Sequence, residues 1–162
     1  MKPFRKILAA TDFGESSALA LELAADLAQR YGAELVLVHV VEPQASLLAG
    51  TLTPDASTPS ATAQQGLTAG VERAQETVPG AKGVLLNGHS AEQILAFVET
   101  SAIDLIVVGT HGRGRTARLL LGSVAEKLVR SAHVPVLTVY DTEDRAVARL
   151  APSARDEQDS TV

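Results

Sequence analysis

The 162 residues contain no cysteine, which excludes disulfides and thiol chemistry. Aromatic side chains are scarce, at 3%, while 46% of residues are hydrophobic. The core must therefore be built from Ala, Leu, Val and Ile. Such aliphatic runs suit strands buried by helices on both faces. No apolar stretch approaches the roughly 20 residues needed to span a bilayer. The basic start, residues 1–6, is followed by an apolar run too short for a signal peptide, so a cytoplasmic location is expected. Positive charge is in deficit, with 14 Lys and Arg against 19 Asp and Glu, a net charge of −5 and a pI near 5.3. That balance argues against a broad nucleic-acid-binding surface but leaves room for a small anion bound by local positive potential. The four histidines, His39, His89, His111 and His133, show no zinc-type spacing, so no protein-borne metal site is expected.

The length favours one domain. Aliphatic runs at 7–10, 34–41, 83–86, 105–108 and 135–140 read as strands. Helical spacing follows the first strand, with Ala20, Leu23, Ala24, Leu27, Ala28 and Tyr31 on one face and Gly32 as the terminator. Further helices are predicted over 63–77, from Ser90, and over 123–131. Ser90 with Gln93 fits a capping box, with Ser90 as N-cap. The segment 43–62, rich in Ala, Ser, Thr, Pro and Gly, reads as a flexible loop. Residues 143–162 are polar and charged and read as a disordered tail, leaving 1–142 as the folded domain. The alternation of strand and helix specifies an α/β fold, a single doubly wound parallel sheet. Such sheets bind ligands at the carboxyl ends of the strands, where the strand order reverses.

The chemistry concentrates after the fourth strand, where Gly109, Gly112 and Gly114 precede Gly122-Ser123-Val124 at the start of a helix. Glycine lets backbone N–H groups approach an anion with no Cβ in the way. The unpaired N–H groups of the helix start, with its dipole, favour a phosphate. The dinucleotide pattern G-x-G-x-x-G fails, because Ala117 follows Gly112-Arg113-Gly114 where a glycine is needed. The P-loop pattern also fails: its lysine is replaced by Arg115, which is not an equivalent residue there. The spacing Gly109-x2-Gly112-x9-Gly122-Ser123 remains.

That spacing resembles the glycine pattern of the ATP-binding branch of the universal stress protein family, G-2x-G-9x-G-[S/T]. The resemblance extends from Lys6 to about Val139. It includes Thr11-Asp12-Phe13 at the end of the first strand, Leu37-Val38-His39-Val40-Val41 in the second, Gly88 with Glu92-Gln93-Ile94-Leu95, and Val134-Pro135-Val136. It implies a five-stranded parallel sheet of order 3-2-1-4-5 with helices on both faces. It further implies that Asp12 contacts the nucleoside and that Ala10 and Val40 line an adenine pocket, with Val108 as an apolar wall. Gly109 is then expected near the ribose, and Gly112, Gly122, Ser123 and Val124 at the phosphates. The implied ligand is ATP or another adenine nucleotide, with Mg²⁺ as a plausible companion held mainly by phosphates and water. A role as a stress-response sensor or regulatory module follows from the same resemblance.

Plainer readings stand beside these. Asp12 stops the strand and caps the next turn, with or without a ligand contact. The glycines serve turns as well as phosphates, and Ser123 is also a good N-cap. Arg113, Arg115 and Arg118 either neutralise phosphate or belong to a solvated loop, and His111 shares that ambiguity. His39, late in an aliphatic strand, reads as a hydrogen-bonded structural residue. ATP hydrolysis requires a positioned water and usually a metal-holding carboxylate. Asp12 is the one acid at the site, and it belongs to the nucleoside end. A binding module is therefore favoured, with at most slow hydrolysis. A weak ATPase or phosphotransferase and a nucleotide-independent interaction protein are the alternatives.

In the implied strand order, Val136–Tyr140 is an edge strand, and exposed aliphatic edges invite pairing. The resemblance implies a homodimer through this strand. Shielding of that edge by the chain after Asp141 is the competing possibility. No nucleic-acid or membrane partner is indicated.

Overall fold

The computed structural model describes residues 4–43, 61–110, 121–140 and 147–150. Its elements are β1 (Lys6–Ala10), α1 (Glu15–Tyr31), β2 (Glu34–Val41), α2 (Ala61–Gln75), β3 (Lys82–Asn87), α3 (Ser90–Thr100), β4 (Leu105–Gly109), α4 (Ser123–Ser131), β5 (Val136–Tyr140) and β6 (Val147–Leu150). The first five strands are parallel, in the order β3-β2-β1-β4-β5. The expected doubly wound sheet is therefore present, with β1 central. Ile7 lies opposite Leu35 on one side and Leu105 on the other.

Period-two alternation divides the aliphatic strands between two cores. Ile7, Ala9, Leu35, Leu37, Leu105 and Val107 face one helical layer with Ala20, Ala24 and Leu67 from α1 and α2. Leu8, Val36, Val38, Ile106 and Val108 face the other with Ile94, Val98 and Leu128 from α3 and α4. This explains how the chain manages with few aromatics: each central strand buries both faces, and alanines let the helices sit close. Leu8, Ile7, Leu105, Ile106 and Leu128 are almost wholly buried, each contributing about 1.5–3 kcal/mol of hydrophobic stabilisation.

α1 ends at Gly32, whose left-handed conformation (φ 63°, ψ 34°) lets its N–H return to the last turn. α2 starts at Ala61, two residues before the predicted position, so 61–62 are helical rather than part of the flexible loop; residues 44–60 lie outside the described residues.

The C-terminal segment departs from expectation. β6 lies within the stretch read as a disordered tail, and it pairs antiparallel with β5, Leu137 opposite Leu150 and Tyr140 opposite Val147. β5 is therefore not the edge of the sheet. The polar composition after Asp141 concealed a four-residue strand whose backbone satisfies the outer N–H and C=O groups of β5. Residues 151–162 lie outside the described residues.

Candidate functional site

The turn after β1 is fixed by its own side chains. The Phe13 N–H donates to Thr11 Oγ1 at 3.0 Å, and the Gly14 N–H donates to Asp12 Oδ1 at 2.9 Å. These successive i to i+2 bonds are typical of Thr and Asp in turns. They hold Phe13 at φ 64°, a left-handed conformation costing roughly 1–2 kcal/mol for a residue with a Cβ. The Phe13 ring packs on His39 with centroids 4.2 Å apart. His39 Nδ1 donates to the Thr11 carbonyl at 2.8 Å. His39 thus serves the structural role expected of it. The capping role of Asp12 is also realised, and the residue lines a cleft.

The second wall comes from β4 and α4. Gly109 ends β4 and is adjacent to α1. A Cβ there would lie 2.5 Å from Ser16 Oγ and 2.7 Å from the Ser16 carbonyl carbon. Its lack of a side chain is therefore required by helix packing, independently of any ligand. Thr110 is fully buried; its N–H donates to the Val139 carbonyl at 2.9 Å, and its own carbonyl accepts the Gly122 N–H at 2.7 Å. Thr110 and Gly122 are thereby joined directly, β4 to α4. A Cβ on Gly122 would sit 3.0 Å from that same carbonyl oxygen. Gly122, not Ser123, is the N-cap of α4, with φ −71° and ψ 156°. Ser123 is the first helical residue and its hydroxyl makes no capping bond, which corrects the N-cap expectation. The backbone N–H groups of the first turn, Ser123 and Val124, have no intrahelical acceptor by helix geometry.

α3 supplies the third wall, and its start also differs from the capping-box reading. The N-cap is His89, with no side-chain cap bond, and Ser90 is already helical. Glu42, just past the end of β2, does the capping from 48 residues away. One carboxylate oxygen, Oε1, accepts the Ser90 N–H at 3.0 Å and the Ser90 hydroxyl at 2.6 Å. These bonds, the hydroxyl one foremost, hold the Glu42 carboxyl below its ordinary range, with the charge of His89 adding to them. A local motif scan cannot see a cap delivered from another strand. Farther along α3, Glu92 pairs with Lys127 of α4 at 2.9 Å, which fastens the two helices together.

These walls enclose a cleft of about 260 Å³ at the carboxyl ends of β1, β2 and β4. Ala10, Asp12, Val40, Val108, Gly109, Gly122, Ser123 and Val124 all line it. Gly112, His111, Arg113, Arg115 and Arg118 lie outside the described residues. Val38, His39, Ser90, Ile94 and Thr110 line it too, and the glycine pattern pointed to none of them. Val38 and Ile94 were legible only as core positions. The interior is aliphatic along β2, β4 and α3, and polar at Asp12, Ser90 and the α4 start. A flat apolar group and an attached anion would each find a suitable surface. Among the described residues, no group of three or more His, Asp or Glu is placed to hold a metal ion. Among the same residues, no helix is long and apolar enough to cross a membrane.

Residues 3–140 match the model of the universal stress protein family. The chain is 34% identical over 139 residues to universal stress protein MJ0531 of Methanocaldococcus jannaschii, covering 84% of this chain and 82% of that protein. Among solved structures, it is similar to the universal stress protein UspA from Lactobacillus plantarum, with a TM-score of 0.73 and 24% identity, covering 85% of this chain and 99% of that one. It is similar as well to a universal stress protein solved in complex with cAMP, with a TM-score of 0.66 and 22% identity, covering 85% and 97%.

Proposed function

Because the chain belongs to the universal stress protein family, we propose that it binds an adenine nucleotide, ATP foremost, in the cleft between β1, β2, β4 and the start of α4. One observation carries the reading. Eight of the nine residues that the glycine pattern and its resemblance single out converge on one cleft, although they come from four separate stretches of the chain. Val40 and Val108 offer apolar walls for the base. Asp12 offers a carboxylate to ribose hydroxyls. Gly122, Ser123 and Val124 present N–H groups and the positive end of α4 to the phosphates. The cAMP complex of a structural neighbour concerns that protein, and it guides the choice of ligand to test here.

The reading is of a binding and regulatory module of the stress-response type, with at most slow hydrolysis. Among the described cleft residues Asp12 is the one carboxylate, and it stands at the end of β1, where it is assigned to the nucleoside. Mg²⁺ would then be held by phosphates and water. A homodimer belongs to the same reading. Since β6 covers β5, a dimer built through Val136–Tyr140 requires β6 to leave that edge.

Thermal unfolding with and without nucleotide tests the proposal. ATP at 100 times its Kd stabilises the folded state by about 2.7 kcal/mol, which raises Tm on the order of 5–10 °C for a chain of this size. An unchanged Tm at millimolar ATP would overturn it.

A further inference from the structure

We propose that Ser90, its hydroxyl proton held by Glu42, reads the base of the bound nucleotide and selects a 6-amino purine over a 6-oxo purine. This rests on the nucleotide-binding reading above and adds a specificity-determining pair to it.

The strand order fixes which end of the cleft receives which part of the ligand. β2 and β4 flank β1 on opposite sides. The phosphate-type donors, Gly122, Ser123 and Val124, belong to the β4–α4 end. Two strand spacings away, about 9.5 Å, β2 and α3 form the other end with Val38, His39, Val40, Ser90 and Ile94, the His39 ring being held by the Thr11 carbonyl and Phe13. A nucleotide with its phosphates on α4 therefore lays its base against β2 and α3. Val38, Val40 and Ile94 present only hydrocarbon side chains to it. Ser90 supplies the hydroxyl at that end.

A serine hydroxyl has one proton and two lone pairs. Here the proton is committed, because Ser90 Oγ donates to Glu42 Oε1 at 2.6 Å. A bond of that length to a carboxylate is charge-assisted and among the stronger kinds. The Ser90 N–H donates to the same oxygen at 3.0 Å, so the residue is held at two points. What Ser90 then offers the cleft is acceptor lone pairs. An exocyclic 6-amino group can donate to them. A 6-oxo group in the same place meets them lone pair to lone pair, an unpaired contact that costs free energy. Sites that recognise a donor in this way reject analogues lacking it far more strongly than apolar pockets discriminate size.

The test is calorimetric titration of the full chain with ATP and with inosine triphosphate, which differ at position 6 and in the proton that the 6-oxo purine carries on N1, and lack a 2-substituent alike. The wild-type protein should bind ATP more tightly by a factor on the order of tens. Ser90→Ala should weaken ATP and leave the inosine nucleotide nearly unchanged, so the ratio collapses. Glu42→Ala frees the hydroxyl to turn and donate to a 6-oxo group, so the inosine nucleotide should gain affinity. Glu42→Gln keeps an acceptor for the Ser90 proton and should restore much of the ratio. If Ser90→Ala and Glu42→Ala each lose the two ligands in equal proportion, Glu42 and Ser90 merely cap α3 and the inference is overturned. A wild-type ratio that survives Ser90→Ala and Glu42→Ala would assign the discrimination elsewhere in the cleft, again overturning it. Binding of neither nucleotide by the wild type would overturn the functional reading itself, a result distinct from either of these.

Discussion

The Ser16 hydroxyl occupies the space that a side chain on Gly109 would need, 2.5 Å from the position of its Cβ. The first glycine of the phosphate-loop pattern is thus a contact point between α1 and β4. Gly109→Ala should destabilise the protein without any ligand, by about 1–3 kcal/mol for overpacking against a buried backbone. Urea unfolding of the ligand-free protein measures this. An unchanged midpoint would mean that the glycine serves only the ligand.

Asp12 has a bond to the Gly14 N–H and a place in the cleft, and two substitutions separate those roles. Asp12→Asn keeps an oxygen acceptor for Gly14 and should change stability by less than about 0.5 kcal/mol. Its ATP affinity should still fall at least about tenfold, since a charged hydrogen-bond acceptor is lost. Asp12→Ala should lose the affinity and also about 0.5–2 kcal/mol of stability. Calorimetry and urea titration on the same samples would detect a failure of either half.

The fold and the site differ in how far they can be read from sequence. The five aliphatic strands and their helices are local patterns, so Glu34–Val41 and Ser123–Ser131 coincide with their predicted limits. Gly32 was readable for the same reason, since one residue decides the helix stop. The misreadings arise where a distant partner acts. Ser90 looked like an N-cap until Glu42 arrived from β2. β6 looked like solvent-exposed tail because four residues carry too little periodicity to stand out, and their pairing partner β5 decides the matter. At Gly109 spacing hid only a second, packing role, because Ser16, 93 positions earlier, is invisible to any spacing rule.

Acid should weaken the α3 attachments in a definite direction. Glu42 is held below its ordinary range by Ser90, and Glu92 by its hydrogen bond and ion pair with Lys127. A carboxylate depressed in the folded state contributes stability above its unfolded value and loses it as pH falls through the folded value. These contributions should be full at neutral pH and decline below about pH 4.5. The difference in unfolding midpoint between wild type and Glu42→Gln, followed from pH 7 to pH 3, should shrink toward the acid end. A constant difference would show that the carboxylate charge is irrelevant.

Removing residues 142–162 takes away β6 and uncovers β5. Exposed aliphatic edge strands pair readily, so the shortened chain should form dimers at lower concentration than the full chain. Sedimentation velocity across the micromolar range distinguishes the two. Identical distributions would mean that β6 does not regulate the β5 edge.

The central position of β1 also sets a schedule. Its Lys6 N–H donates to Asp104 Oδ1 across 98 residues, at 3.2 Å, and the cleft needs residues from both sides of that gap. On a ribosome adding about 5–20 residues per second, β1 waits roughly 5–20 s for β4 to emerge. Until then its inner edge has no partner. The newborn chain has no cleft to fill, so whatever occupies that cleft cannot guide the first half of its folding.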